Sequence, residues 1–129
     1  MTCLAAPATS LSRQSAGPPS QPSAGPPPEL ACWRRVELAV ALTMAVPLGQ
    51  MRAATRSPVD AAFARQIAMY IGHAVLGLGF SAIGRLCGRD HKTVAYACRM
   101  VEQRRDDPAV DRMLNLLTDF CREMAESWA

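Results

Sequence analysis

Residues 88–94 read Gly-Arg-Asp-His-Lys-Thr-Val, so a carboxylate, an imidazole, an ammonium and a hydroxyl stand side by side at Asp90, His91, Lys92 and Thr93. This set suits recognition of a polar edge. His91 and Lys92 can hydrogen-bond the acceptors that purines present in the major groove of duplex DNA. Thr93 and the unpaired amides of a helix's first turn suit phosphate oxygens, which the positive end of the helix dipole also favours. Arg89 and Arg99 flank the string with further charge for phosphates. Asp90 can accept from a cytosine amine or cap a helix, and the two uses compete for the same oxygens.

Catalysis is not indicated. No nucleophile is paired with a base, and no Gly-x-x-x-x-Gly-Lys-Ser/Thr phosphate loop is present. The expectation is a non-enzymatic chain with no nucleotide and no cofactor. Cys87, His91 and Cys98 lie near one another in sequence. Zinc wants four ligands in paired spacings, and the turn between Cys87 and His91 spoils a shared helical face, so no metal is expected.

The elements that must position this string read as helices throughout. A first helix is predicted from Glu29 or Leu30 to about Ala45, with Trp33, Val36, Leu38, Val40 and Leu42 covering much of its circumference. A short second helix follows over 47–51, with Pro47 in its first turn. Residues 52–58 read as a basic loop. Asp60 is the expected N-cap of a third helix whose buried stripe is Phe63, Ile67, Tyr70 or Ile71, and Ala74 or Val75. Gly77 is placed to end it. Ser81 is the expected cap of a fourth helix over 82–87, closed by Gly88. Asp90 caps a fifth over 91–105. Asp107-Pro108 opens a sixth, with Met113, Leu114, Leu116, Leu117 and Phe120 on its apolar side. No segment alternates as a strand would. The fold class is all-α: a compact bundle of five to six helices containing a helix-turn-helix.

On the fifth helix, Val94, Ala97, Cys98 and Val101 fall on one side, while Lys92, Ala95, Tyr96, Arg99 and Gln103 fall on the other. Charge follows the same division of labour. Residues 50–101 carry seven basic and two acidic side chains, whereas residues 102–129 carry four basic and seven acidic. A basic middle suits phosphates, whose neutralisation releases condensed counterions. Arg104 and Arg105 read as a solvated helix end, and His73 as a half-exposed histidine.

Seven of the ten prolines lie in residues 1–28, a stretch too poor in apolar surface to offset its ordering entropy, so it reads as a disordered tail. Five cysteines form no Cys-x-x-Cys pair, and no secretory leader is visible. The apolar run over 36–48 is too short for a bilayer and contains Glu37. A cytoplasmic, nucleoid-associated protein without membrane contact is expected.

A family resemblance adds to this reading. The run Ala64-Arg65-Gln66-Ile67-Ala68-Met69-Tyr70, then Ile83-Gly84, then residues 88–94, then Ala97-Cys98-Arg99, resembles the C-terminal DNA-binding domain of the bacterial replication initiator DnaA. The likeness runs from about Val36 to Gln103. It implies base reading by Asp90, His91 and Lys92, and phosphate contacts from Arg65, Gln66 and Thr93. It also puts Arg56 near the position from which the family's basic loop sends an arginine into the minor groove. Three departures stand out. Lys92 replaces a threonine of the family, the turn carries the single glycine Gly88 where two are usual, and no nucleotide-binding domain accompanies the string.

The expected division is therefore a tail over 1–28, a DNA-binding domain over 29–105 and an added acidic helix over 106–129. The expected function is sequence-specific binding of double-stranded DNA at sites related to the initiator's boxes, modulating replication initiation or transcription. The rival is a small helical protein–protein adaptor that kept the fold and lost DNA binding. The last helix is left two roles: covering the core, or pairing two copies as a homodimer.

Overall fold

The computed structural model describes residues 28–53 and 59–128. Six helices follow one another: α1 (Pro28–Met44), α2 (Leu48–Arg52), α3 (Val59–Ala74), α4 (Phe80–Cys87), α5 (His91–Arg104) and α6 (Pro108–Trp128). Among the described residues there is no strand. The tail expected over 1–28 lies outside the described residues, apart from Pro28, which opens α1.

Helix α3 is the centre, packed against all five other helices. Its Ile67, Met69 and Ile71 are fully buried, and Ala61, Ala64 and Ala68 beside them are small enough for neighbours to approach closely. Around it gather Trp33, Val36 and Val40 of α1, Met51 of α2, Ile83 of α4, Val94 and Val101 of α5, and Leu114 of α6. Burial of these side chains contributes roughly 1.5–3 kcal/mol each. One core thus serves all six helices.

The helix ends show which local signals prevailed. Pro47 precedes α2 as its N-cap, where its fixed φ of −60° fits, so it does not occupy the first turn. Asp60 lies one residue inside α3, in the first turn, where its charge still favours the dipole. Ser81 is not the cap of α4. The helix starts earlier, at Phe80 after Gly79, because the Ile83 amide bonds the Gly79 carbonyl at 3.0 Å and Phe80 packs with its ring centroid 4.7 Å from that of His73. Met44 ends α1, and Ala45 then takes a left-handed φ of 55°, a conformation that costs a non-glycine residue roughly 1–2 kcal/mol.

Helix α6 is tied to the bundle at the α5–α6 corner. Asp107 caps it by accepting the Ala109 amide at 3.0 Å. Arg105 is not a solvated helix end: its Nε donates to Tyr70 Oη at 3.1 Å, and its Nη1 to Asp111 Oδ1 at 2.6 Å and Asn115 Oδ1 at 3.0 Å. Tyr70 in turn donates to Glu102 at 2.7 Å. One guanidinium so ties α3, α5 and α6. Arg104 does lie at the surface, over the Phe63 ring at 4.2 Å. No described helix is long and apolar enough to cross a membrane.

Candidate nucleic-acid interface

The unit formed by α4 and α5 has the proportions of a helix-turn-helix: eight residues, a tight turn, then fourteen. Two glycines make the turn. Gly88 takes the left-handed conformation, φ 70° and ψ 35°, where a side chain would strain. The amides of Gly88 and Arg89 both reach the Gly84 carbonyl, the latter at 2.8 Å. The backbone passes so close that a Cβ on Gly84 would stand 2.5 Å from the Arg89 carbonyl oxygen. The one left-handed glycine is therefore enough to close the turn, provided that residue 84 also lacks a side chain.

From this turn α5 emerges with Val94, Ala97, Cys98 and Val101 buried, the side read from the sequence. Asp90 is its N-cap: Oδ1 accepts the Lys92 amide at 2.7 Å and lies 3.5 Å from His91 Nδ1. His91, Lys92 and Thr93 are all exposed, as are Tyr96, Arg99 and Gln103 further along. Arg99 lies over the Tyr96 ring at 5.8 Å. The structure thus brings Asp90, His91, Lys92 and Thr93 together at one solvent-facing helix start, with Arg99 on the same helix.

Arg65, Gln66 and Arg89 are half-buried. Arg65 donates through Nε to the Met51 carbonyl at 2.7 Å and through Nη2 to that of Gln50 at 3.3 Å. Arg89 donates through Nη2 to the Ala53 carbonyl at 2.6 Å. A third guanidinium, Arg52, donates twice to Glu37 Oε1, at 3.1 and 2.8 Å. The chain over 50–53, which leads into residues 54–58, is therefore held at its carbonyls by Arg65 and Arg89, and through its own Arg52 to Glu37 of α1. Arg56 itself lies outside the described residues.

Between these groups is a cavity of about 270 Å³, lined among others by Arg34, Glu37, Arg52, Arg65, Cys87 and Arg89. Burial, and then the neighbouring Arg89 charge, hold Arg65 below the usual guanidinium value. Glu37, which in sequence speaks only against a bilayer for the run 36–48, is buried here and its role is to accept from Arg52. Among the described residues no three His, Cys, Asp or Glu side chains cluster to hold a metal ion.

A family profile described as the bacterial dnaA protein helix-turn-helix matches residues 34–101. Chromosomal replication initiator protein DnaA 2 of Chlamydia pneumoniae is 37% identical over 79 residues, 60% of this chain and 17% of that protein. The initiator DnaA of Lactococcus lactis subsp. cremoris is 44% identical over 50 residues, 38% of this chain and 11% of that protein. The crystal structure of a DNA replication initiation factor superposes with a TM-score of 0.68 at 26% identity, covering 75% of this chain and 30% of that one. The chain thus spans less than a fifth of the length of these curated relatives.

Proposed function

This chain belongs to the bacterial dnaA helix-turn-helix family, and from that premise we propose that it binds duplex DNA sequence-specifically, with the start of α5 in the major groove. The observation that carries the proposal is the exposed string at that start, Asp90, His91, Lys92 and Thr93, set on a helix whose other side is locked into the core. Base reading falls to Asp90, His91 and Lys92. Asp90 uses Oδ1 for the cap and has its second oxygen to offer a cytosine amine. Phosphates fall to Arg65, Gln66, Thr93, Arg89 and Arg99, and the minor groove to Arg56. A guanidinium carries five N–H donors, so the bond from Arg89 to Ala53 is compatible with a phosphate contact.

The sites bound are related to the initiator's boxes, and the consequence is modulation of replication initiation or of transcription at the nucleoid in the cytoplasm. No catalytic activity is part of this reading. Residues 29–105 form the DNA-reading unit, with α6 added to it. Lys92, where the family has threonine, brings a cation that alters base discrimination.

Selection of bound sequences from a random duplex library tests the proposal: one enriched motif is expected, and no enrichment at low salt would sink it in favour of the adaptor reading. Lys92→Ala then shifts the motif, whereas Arg65→Ala weakens every sequence and lowers the salt slope by about one. Equal losses on all sequences for both variants would remove Lys92 from base reading.

A further inference from the structure

Large apolar side chains are unevenly exposed on this molecule. Leu38 (48% exposed) and Leu42 (73%) on α1, and Leu116 (72%), Phe120 (52%) and Met124 (37%) on α6, account for all the large exposed apolar side chains among the described residues except Tyr96. Scattered exposed leucines need no explanation, but a contiguous set marks an interaction surface. Three of the five are contiguous: Leu42, Leu116 and Phe120 line one groove of about 390 Å³ between α1 and α6, with Ala39, Met113 and Leu117. Helix α6 also buries Leu114, Leu117 and Cys121 on its inner side. Covering the core therefore occupies only one side of its apolar surface.

We propose that the α1–α6 seam is a homodimer interface, each copy laying its Leu42, Leu116 and Phe120 against those of a second. The argument for a second copy is charge. On α1, Arg35, exposed and already engaged within its own chain, lies three residues before Leu38 and seven before Leu42, at the border of the exposed stripe. On α6, Asp119 and Glu123 lie three and seven residues after Leu116. Both acids are exposed, and the i,i+3 pair between Asp119 and Arg122 at 3.7 Å is of the weak surface kind. Arg112, four residues before Leu116, is the one cation at the near end of that border. A patch with a basic edge on one helix and a mainly acidic edge on the other is self-complementary, because a two-fold axis along the seam sets each α1 against the partner's α6. The start of α5 shares no residue with this face, so both copies keep their DNA-reading strings exposed.

Sedimentation equilibrium of the whole chain without DNA, from low to high micromolar protein, tests this. A monomer–dimer equilibrium is expected. Leu42→Glu and Leu116→Glu each weaken it by roughly tenfold or more, since a carboxylate would be buried in the interface. Both positions are exposed in the monomer, so the melting temperature of dilute protein stays unchanged, as does the affinity for one DNA site. Arg35→Glu and Glu123→Arg weaken the dimer singly and restore it together. A monomer at every concentration overturns the proposal, as does a dimer indifferent to both leucine variants. A whole chain that stays monomeric until residues 1–27 are removed also overturns it, by showing that the chain's own tail fills the groove. Because DNA binding to one site is measured separately, failure here leaves the DNA reading standing.

Discussion

Asp90 carries two roles that single substitutions can separate. Its cap bond to the Lys92 amide is 2.7 Å long, and asparagine caps about as well as aspartate. Asp90→Asn should keep the melting temperature while changing the preferred DNA sequence, because an amide can donate where a carboxylate only accepts. Asp90→Ala should lose both, at about 1 kcal/mol of stability. Unchanged sequence preference in Asp90→Asn would confine the residue to the cap. Cys98 makes a second prediction at this scale. Burial, and then the nearby Glu102, push its thiol up to about 11. The folded state then holds a proton that the unfolded chain releases above about 9. The thiol's contribution is whole below the unfolded value and is lost as pH rises through the folded one. Thermal melting across that window should fall more steeply for the native chain than for Cys98→Ala; parallel slopes would show that Cys98 does not titrate there. Cys87, Cys121 and Tyr70, each raised chiefly by burial, contribute to the residual slope.

Among the elements, the turn between α4 and α5 depends on a glycine that is easily overlooked. Gly84 is helical and needs no unusual dihedral, yet the Arg89 carbonyl stands where its Cβ would be. Gly84→Ala should destabilise by roughly 1–3 kcal/mol through overpacking of backbone on backbone. Urea unfolding measures this, and native-like stability would mean that the turn can open without cost. Gly88, Asp90 and Pro108 were readable from sequence, because capping and left-handed closure depend on a few neighbouring residues. Ser81 misled for a related reason: its cap chemistry is sound, but Phe80 packs against His73 and draws the helix start forward. The bonds from Arg65 and Arg89 to carbonyls 14 and 36 residues away were not readable at all. Nothing in local spacing encodes them. Likewise Leu42 and Leu116 looked like core, since a helix apolar over much of its circumference does not say which part faces inward.

For the whole molecule, Arg105 decides whether α6 moves with the rest. It reaches Tyr70 on α3 and both Asp111 and Asn115 on α6. Arg105→Ala should cost roughly 1–2 kcal/mol and raise amide hydrogen exchange along α6 more than along α3. Uniform exchange across the bundle would instead show that the apolar contacts of Leu114, Leu117 and Cys121 suffice.

The hold on residues 50–53 has a kinetic consequence. Arg89 belongs to the turn that aims α5, and its guanidinium grips the Ala53 carbonyl, where the chain leaves α2. Two stretches far apart in sequence are thereby presented as one preassembled surface. On the proposed DNA-binding reading, a duplex meeting it would not wait for a rare conformer, and little motional freedom would be left to be quenched on contact. Selectivity among sequences would then reside in how slowly the right one departs, more than in how quickly any of them arrives.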